Sequence, residues 1–207
     1  MIIELYGLPG SGKTTLARKL VKENGFEIIK ISSKKELFLL NLLFFIKHPF
    51  RFFKILKHLI KNSCSWKMFY YKFINTFLHC NAKYQKSLHC NKAILDQGYF
   101  QNIISVFEEE ISLKQMKKYI NLFLKPDKLF IFDIDQDTRA KHLIDRGYSA
   151  RDNFDEEYRK KWEKVTEINN KLFVENLNIF SVENYIINAN QNISEMHDCI
   201  VKILYAK

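Results

Sequence analysis

The chain of 207 residues lacks any apolar run of 18 residues, the length a helix needs to cross a bilayer. The longest candidate, Leu37 to Ile46, is interrupted by Asn41 and is too short to span. Cysteine is sparse. Cys64, Cys80, Cys90 and Cys199 form no CxxC pair and no disulfide framework, which points to reduced thiols and a cytoplasmic location. The N-terminus has no basic stretch ahead of its first apolar segment, so no secretory leader is expected. Internal repeats, low-complexity tracts and nucleic-acid-binding motifs are missing, and nucleic acid is not an expected partner. The pairs His79-Cys80 and His89-Cys90 lie ten residues apart, and on a helix they face different directions, so zinc is not expected there.

Acidic residues are also unevenly absent. The net charge is +10, yet residues 34–92 hold 12 of the 33 basic residues and only Glu36 of the 23 acidic ones. The rest of the chain is close to neutral. The same segment holds 13 of the 30 aromatic residues in under a third of the length. It reads as an inserted module with its own partner surface.

The remaining pattern alternates strands with helices, which argues a parallel α/β sheet in a single domain spanning 1–207. Strands are predicted at 2–6, 26–31, 93–95, 128–132 and 185–187. Helices are predicted at 14–24, closed by Gly25, then through 34–92, at 99–110, 113–124, 137–146 and 155–175, and after Asn192, which with Glu195 forms a capping-box signature. Within the insert, Phe52, Ile55, Leu56, Leu59 and Ile60 share one helix face, and Arg51, Lys54, His58 and Lys61 the other. Trp66 to Leu88 reads as one long helix.

The strongest chemical signal is Gly7-Leu8-Pro9-Gly10-Ser11-Gly12-Lys13-Thr14 between the first strand and the first helix. GxxxxGK[ST] in this setting wraps phosphates in backbone N–H groups, with the helix N-terminus adding positive potential. Gly7, Pro9, Gly10, Ser11, Gly12, Lys13, Thr14 and Thr15 are the expected nucleotide-binding residues, with Lys13 on the β- and γ-phosphates and Thr14 on Mg²⁺. Asp96 ends the third strand, where the crevice of a parallel sheet lies. There it either organises Mg²⁺ or accepts a proton. Asp133 and Asp135 form a weaker second pair and are expected to cap the next helix. Arg146 and Arg151 flank Gly147 and are placed to close over a triphosphate; Arg139 is a lesser candidate.

Together, GLPGSGKTTLARKL at 7–20, ILDQG at 94–98, the run 129–154 and YIINANQNISEMHDCIVKIL at 185–204 resemble the P-loop small-molecule kinases, particularly nucleoside and nucleotide kinases and their thymidylate-kinase-like relatives. The resemblance implies a three-layer P-loop NTPase fold with five parallel strands in order 2-3-1-4-5 and a helical insertion between strands 2 and 3. It implies a lid at 139–154 bearing Arg146 and Arg151, an adenine-side loop around Asn190, and an acceptor region at 34–92. Asp96-Gln97 stands where thymidylate kinases have Asp-Arg. The arginine that grips a monophosphate is thus missing at that position, and a sugar, sugar phosphate, nucleoside or nucleotide acceptor, anionic or aromatic, stays open. The expected activity is ATP- and Mg²⁺-dependent phosphoryl transfer. The alternative is a P-loop module that binds or hydrolyses NTP as a switch, or at a membrane surface through segment 34–92, whose helix at 50–62 is amphipathic and basic.

Overall fold

Ile2–Gly7 (β1) is buried at all six positions, as a strand covered on both faces of a parallel sheet must be. The computed structural model, which describes residues 1–63, 65–146 and 154–206, places β1 at the centre of that sheet. Glu27–Ile28 (β2), Ala93–Leu95 (β3), Lys128–Asp133 (β4) and Glu183–Asn188 (β5) complete it. The order is β2-β3-β1-β4-β5 with every pairing parallel, as the resemblance implied.

Lys13–Asn24 (α1) and Ile193–Tyr205 (α10) cover one face. Leu16, Leu20 and Ile200 meet Leu5, Ile94 and Phe130 there. α1 ends on Gly25 in the left-handed region (φ 69°), and α10 begins with the Asn192–Glu195 capping box read from the sequence. The opposite face carries Tyr6, Leu95 and Ile131 into a larger apolar layer with Phe77, Tyr99 and Phe173. That layer comes from the helices between β2 and β3 and from Ile103–Val106 (α6), Leu113–Ile120 (α7) and Glu156–Glu175 (α9). Gln136–Arg146 (α8) follows β4.

The insertion consists of Lys34–Lys47 (α2), Pro49–Lys61 (α3), Trp66–Lys72 (α4), a π-helical turn at Phe73–Leu78 and His79–Ser87 (α5). The single helix expected from Trp66 onward is therefore continuous but widened at its middle. Its buried positions fall mostly four apart: Met68, Lys72, Thr76, Cys80 and Tyr84. In a regular α-helix a four-residue step overshoots one turn by about 40°, so this face would wind away from the core. The wider turn pulls it back, and Phe69, Phe73 and Phe77 form a continuous row of ring contacts across it.

Three predicted elements come out shorter. β2 covers two residues instead of six, because it is an edge strand: Phe26 and Ile29 flank it as buried anchors, and Ile29 N still bonds Ile94 O at 3.0 Å. The helix expected over 99–110 is confined to α6. Residues 99–101 instead turn their amides toward Glu4, described below. The helix expected to reach 124 stops at Ile120, and the chain turns there before Pro126.

Candidate functional site

The glycines of the P-loop are required by its geometry. Gly10 sits at φ 91°, and a Cβ there would lie 3.3 Å from the Arg139 carbonyl oxygen and from Leu143 Cγ. The loop is therefore pressed directly under α8. Lys13 Nζ donates to the carbonyls of Gly7 (2.7 Å) and Leu8 (2.9 Å) and to Ser11 Oγ (3.0 Å), which holds the loop in its curved form. Thr14 Oγ1 lies 3.1 Å from Asp96 Oδ2 and 3.4 Å from Oδ1. Residues 82 apart in sequence thus meet because β1 and β3 are neighbours and both end at this edge.

A cleft of about 880 Å³ opens over these groups, within the range of small-molecule sites. Pro9, Gly10, Ser11, Gly12, Lys13, Thr14 and Thr15 line one side, Asp96, Gln97 and Gln101 another, and Ala189, Gln191 and Asn192 a third. Gly7 lies at the base of the loop, where its backbone is clamped as described below. Asn190 has a different orientation: its side chain accepts from Asp135 N at 3.1 Å, while its neighbours face the cleft. Asp135 caps α8 through Thr138 N (2.8 Å) and Thr138 Oγ1 (2.9 Å), as expected, and these bonds hold its carboxyl below the usual range. Arg139 reaches Pro9 O through Nε (3.3 Å) and Glu167 through Nη1 (2.9 Å). It ties the P-loop to α8 and α9. Arg146 is the last residue of α8; Arg151 lies outside the described residues.

Three residues were not singled out by the sequence. His142 Nδ1 contacts Gly10 O at 2.8 Å. Gln101 grips Gly7 with both ends of its amide: Nε2 donates to Gly7 O and Gly7 N donates to Oε1, each at 3.0 Å. The Gln101 backbone N–H in turn donates to Glu4 Oε1 at 3.0 Å. Glu4 is fully buried within β1, facing the amides of 99–101, and burial pushes its carboxyl up to about 8. Gly98 is the one residue type that fits above it, since a Cβ there would stand 2.4 Å from the carboxylate. Gly98 following Asp96 was the only visible signal of this arrangement.

A cation that bridges phosphates needs few protein oxygens, because the phosphates and water supply the rest. Thr14 and Asp96 match that need. Among the described residues no group of three His, Cys, Asp or Glu side chains forms a metal cage.

The model of the ATPase family associated with various cellular activities (AAA) matches residues 3–42, the segment holding β1, the P-loop and α1. No curated protein sequence matches the chain. Among solved structures, a deoxyadenosine kinase from M. mycoides with bound dATP is similar over 99% of both chains at 18% identity and a TM-score of 0.61. The structure of that kinase with the products dCMP and a flexible dCDP bound is similar over 100% of both chains, at 18% identity and 0.63. YorR protein from Bacillus subtilis in complex with phosphorylated GDP is similar over 99% of this chain and 95% of that one, at 17% identity and 0.50. Strand order and whole-chain superposition agree: this chain has the fold of the P-loop nucleoside and nucleotide kinases.

Proposed function

We propose that the chain is a small-molecule kinase that uses ATP and Mg²⁺ to phosphorylate a hydroxyl- or phosphate-bearing acceptor of the nucleoside, nucleotide or sugar class. The observation that carries this is the meeting of Thr14 and Asp96 at 3.1 Å on the floor of the P-loop cleft. It puts a phosphate cradle, a hydroxyl ligand and a carboxylate in one place.

Lys13 and the loop amides hold the β- and γ-phosphates. Thr14 and Asp96 would hold Mg²⁺, which would supply neutralisation of charge on the phosphate oxygens. The acceptor oxygen attacks the γ-phosphorus, the bond to the β–γ bridging oxygen breaks, and ADP leaves. Alternatively, where the acceptor is a hydroxyl, Asp96 takes its proton instead of organising Mg²⁺. Arg146 and Arg151 belong to a lid at 139–154 that stabilises the transferring group, and segment 34–92 forms the acceptor side. The shared fold of a deoxyadenosine kinase with bound dATP supports a nucleotide-binding role for this cleft; Gln97 in place of arginine favours an acceptor held by something other than a guanidinium at this position.

The test is ATP turnover measured with and without a panel of nucleosides, nucleotides, sugars and sugar phosphates. Acceptor-dependent ADP release, abolished in Lys13→Ala with the fold intact by circular dichroism, is expected. Turnover indifferent to every acceptor would overturn the proposal in favour of an NTP-hydrolysing switch.

A further inference from the structure

Helix α2 carries large apolar side chains on its outer face as well as its inner one. Its inner face buries Asn41 and Phe44 against the core. Its outer face presents Phe38 (68% exposed), Leu39, Leu42, Leu43 and Ile46 (64%). α3 continues the same surface. Phe45 of α2 packs edge-on against Phe53 at 5.8 Å, and Phe53 is itself exposed, beside Phe50 at 81%. A contiguous apolar face of this size on a soluble domain marks a contact surface.

Charge selects the occupant. Lys35 interrupts the outer face of α2, Lys34 and Lys47 flank its ends, Lys54 and Lys57 stand one turn beyond Phe50 and Phe53 on α3, and Lys61 closes that helix, all exposed. The one acid of the segment, Glu36, is already paired with Lys86 at 2.6 Å. A second copy on this face would set lysine against lysine. An anionic lipid surface meets both features: the aromatic and aliphatic side chains enter the acyl boundary, and the lysines lie along it with their stems on apolar surface. α2 has 14 residues, about 21 Å of helix, short of the roughly 30 Å hydrocarbon core. Among the described residues no helix is long and apolar enough to cross a membrane. The geometry is that of a helix pair lying on a bilayer.

We propose that the outer face of α2 and α3 docks on an anionic lipid surface.

The experiment is sedimentation of the full chain with vesicles of phosphatidylcholine alone and of phosphatidylcholine mixed with phosphatidylglycerol, at low and high salt. Binding to the mixed vesicles only, weakened by salt, is expected. Each lysine near such a surface contributes about fivefold in affinity, so the pair K54Q/K57Q lowers partitioning roughly 25-fold. The triple variant Phe38→Ser, Ile46→Ser, Phe50→Ser keeps every charge and also abolishes binding, while its thermal unfolding stays that of the parent. Equal binding to both vesicle types, no binding to either, or an unaffected triple variant would each overturn the proposal. So would sedimentation equilibrium showing a dimer of the parent that the triple variant dissociates.

Discussion

The carboxylate of Glu4 and the missing side chain of Gly98 fit each other. A methyl group at 98 would overlap the carboxylate at 2.4 Å, and Glu4 has no surface of its own to retreat to. Gly98→Ala forces either the carboxylate or the 96–101 loop to shift. Overpacking of this kind costs roughly 1–3 kcal/mol. Because Asp96 and Gln101 belong to the same loop, the variant is expected to weaken nucleotide binding more than its stability loss accounts for. Nucleotide titration by calorimetry beside urea unfolding checks this.

The titration of Glu4 gives a signed pH dependence. Its folded-state carboxyl is raised to about 8 from an ordinary 4.5, so between those values the folded state binds the proton and the unfolded state has released it. Stability contributed by the protonated group is fully present below about 4.5 and is lost as pH rises toward and through 8. Glu4→Gln is expected to flatten the slope of unfolding free energy over that window, measured by urea denaturation at a series of pH values. An unchanged slope would assign the pH dependence to other groups.

On the kinase reading, Asp96→Asn removes both the charge facing Thr14 and the acceptor of a proton. A loss of about 10²–10⁴ in kcat is expected, with ATP affinity in the absence of Mg²⁺ little changed. Single-turnover kinetics with and without the cation separates the two effects.

Lys72 is an ammonium group with no solvent exposure, held by Glu108 at 2.7 Å and by the carbonyls of Asn62 (2.8 Å) and Val106 (2.6 Å). Lys72→Met leaves the partly buried Glu108 carboxylate without this cation, and a destabilisation of about 3–5 kcal/mol is expected. The double variant K72M/E108L is expected to recover part of it, since both charges then leave together. Chemical denaturation of the three proteins provides the comparison.

The fold was legible where the chain is periodic or carries special residues. β1, β4 and the glycine-rich loop are unambiguous, and Asn192 and Asp155 cap helices as their residue types suggest. From there the strand order followed by resemblance. The site was legible on its phosphate side for the same reason: a phosphate cradle requires glycines, a lysine and a hydroxyl at fixed spacing. What was not legible depends on contacts across the sheet. Residues 99–102 have helical composition, but the amide groups of 99–101 are drawn to a buried carboxyl group 95 or more positions earlier. Gln101 looked like an ordinary polar residue of a helix, because nothing local records its attachment to Gly7. The π turn was hidden likewise, since buried positions four apart look helical until their drift is followed over about four turns.

The register of β3 against β1 pairs Ile2 with Ala93 and Glu4 with Leu95, and β3 then ends, leaving Gly7 without a main-chain partner on that side. The Gln101 carboxamide occupies the vacancy, offering one donor and one acceptor as a peptide unit does. The Gly7 amide proton is thereby screened from solvent by a side chain on a loop rather than by a strand. Its exchange with deuterium is expected to follow the opening of residues 98–101 and not unfolding of the sheet, so one backbone proton at the start of the phosphate loop would report on motion of the loop that carries Gln101.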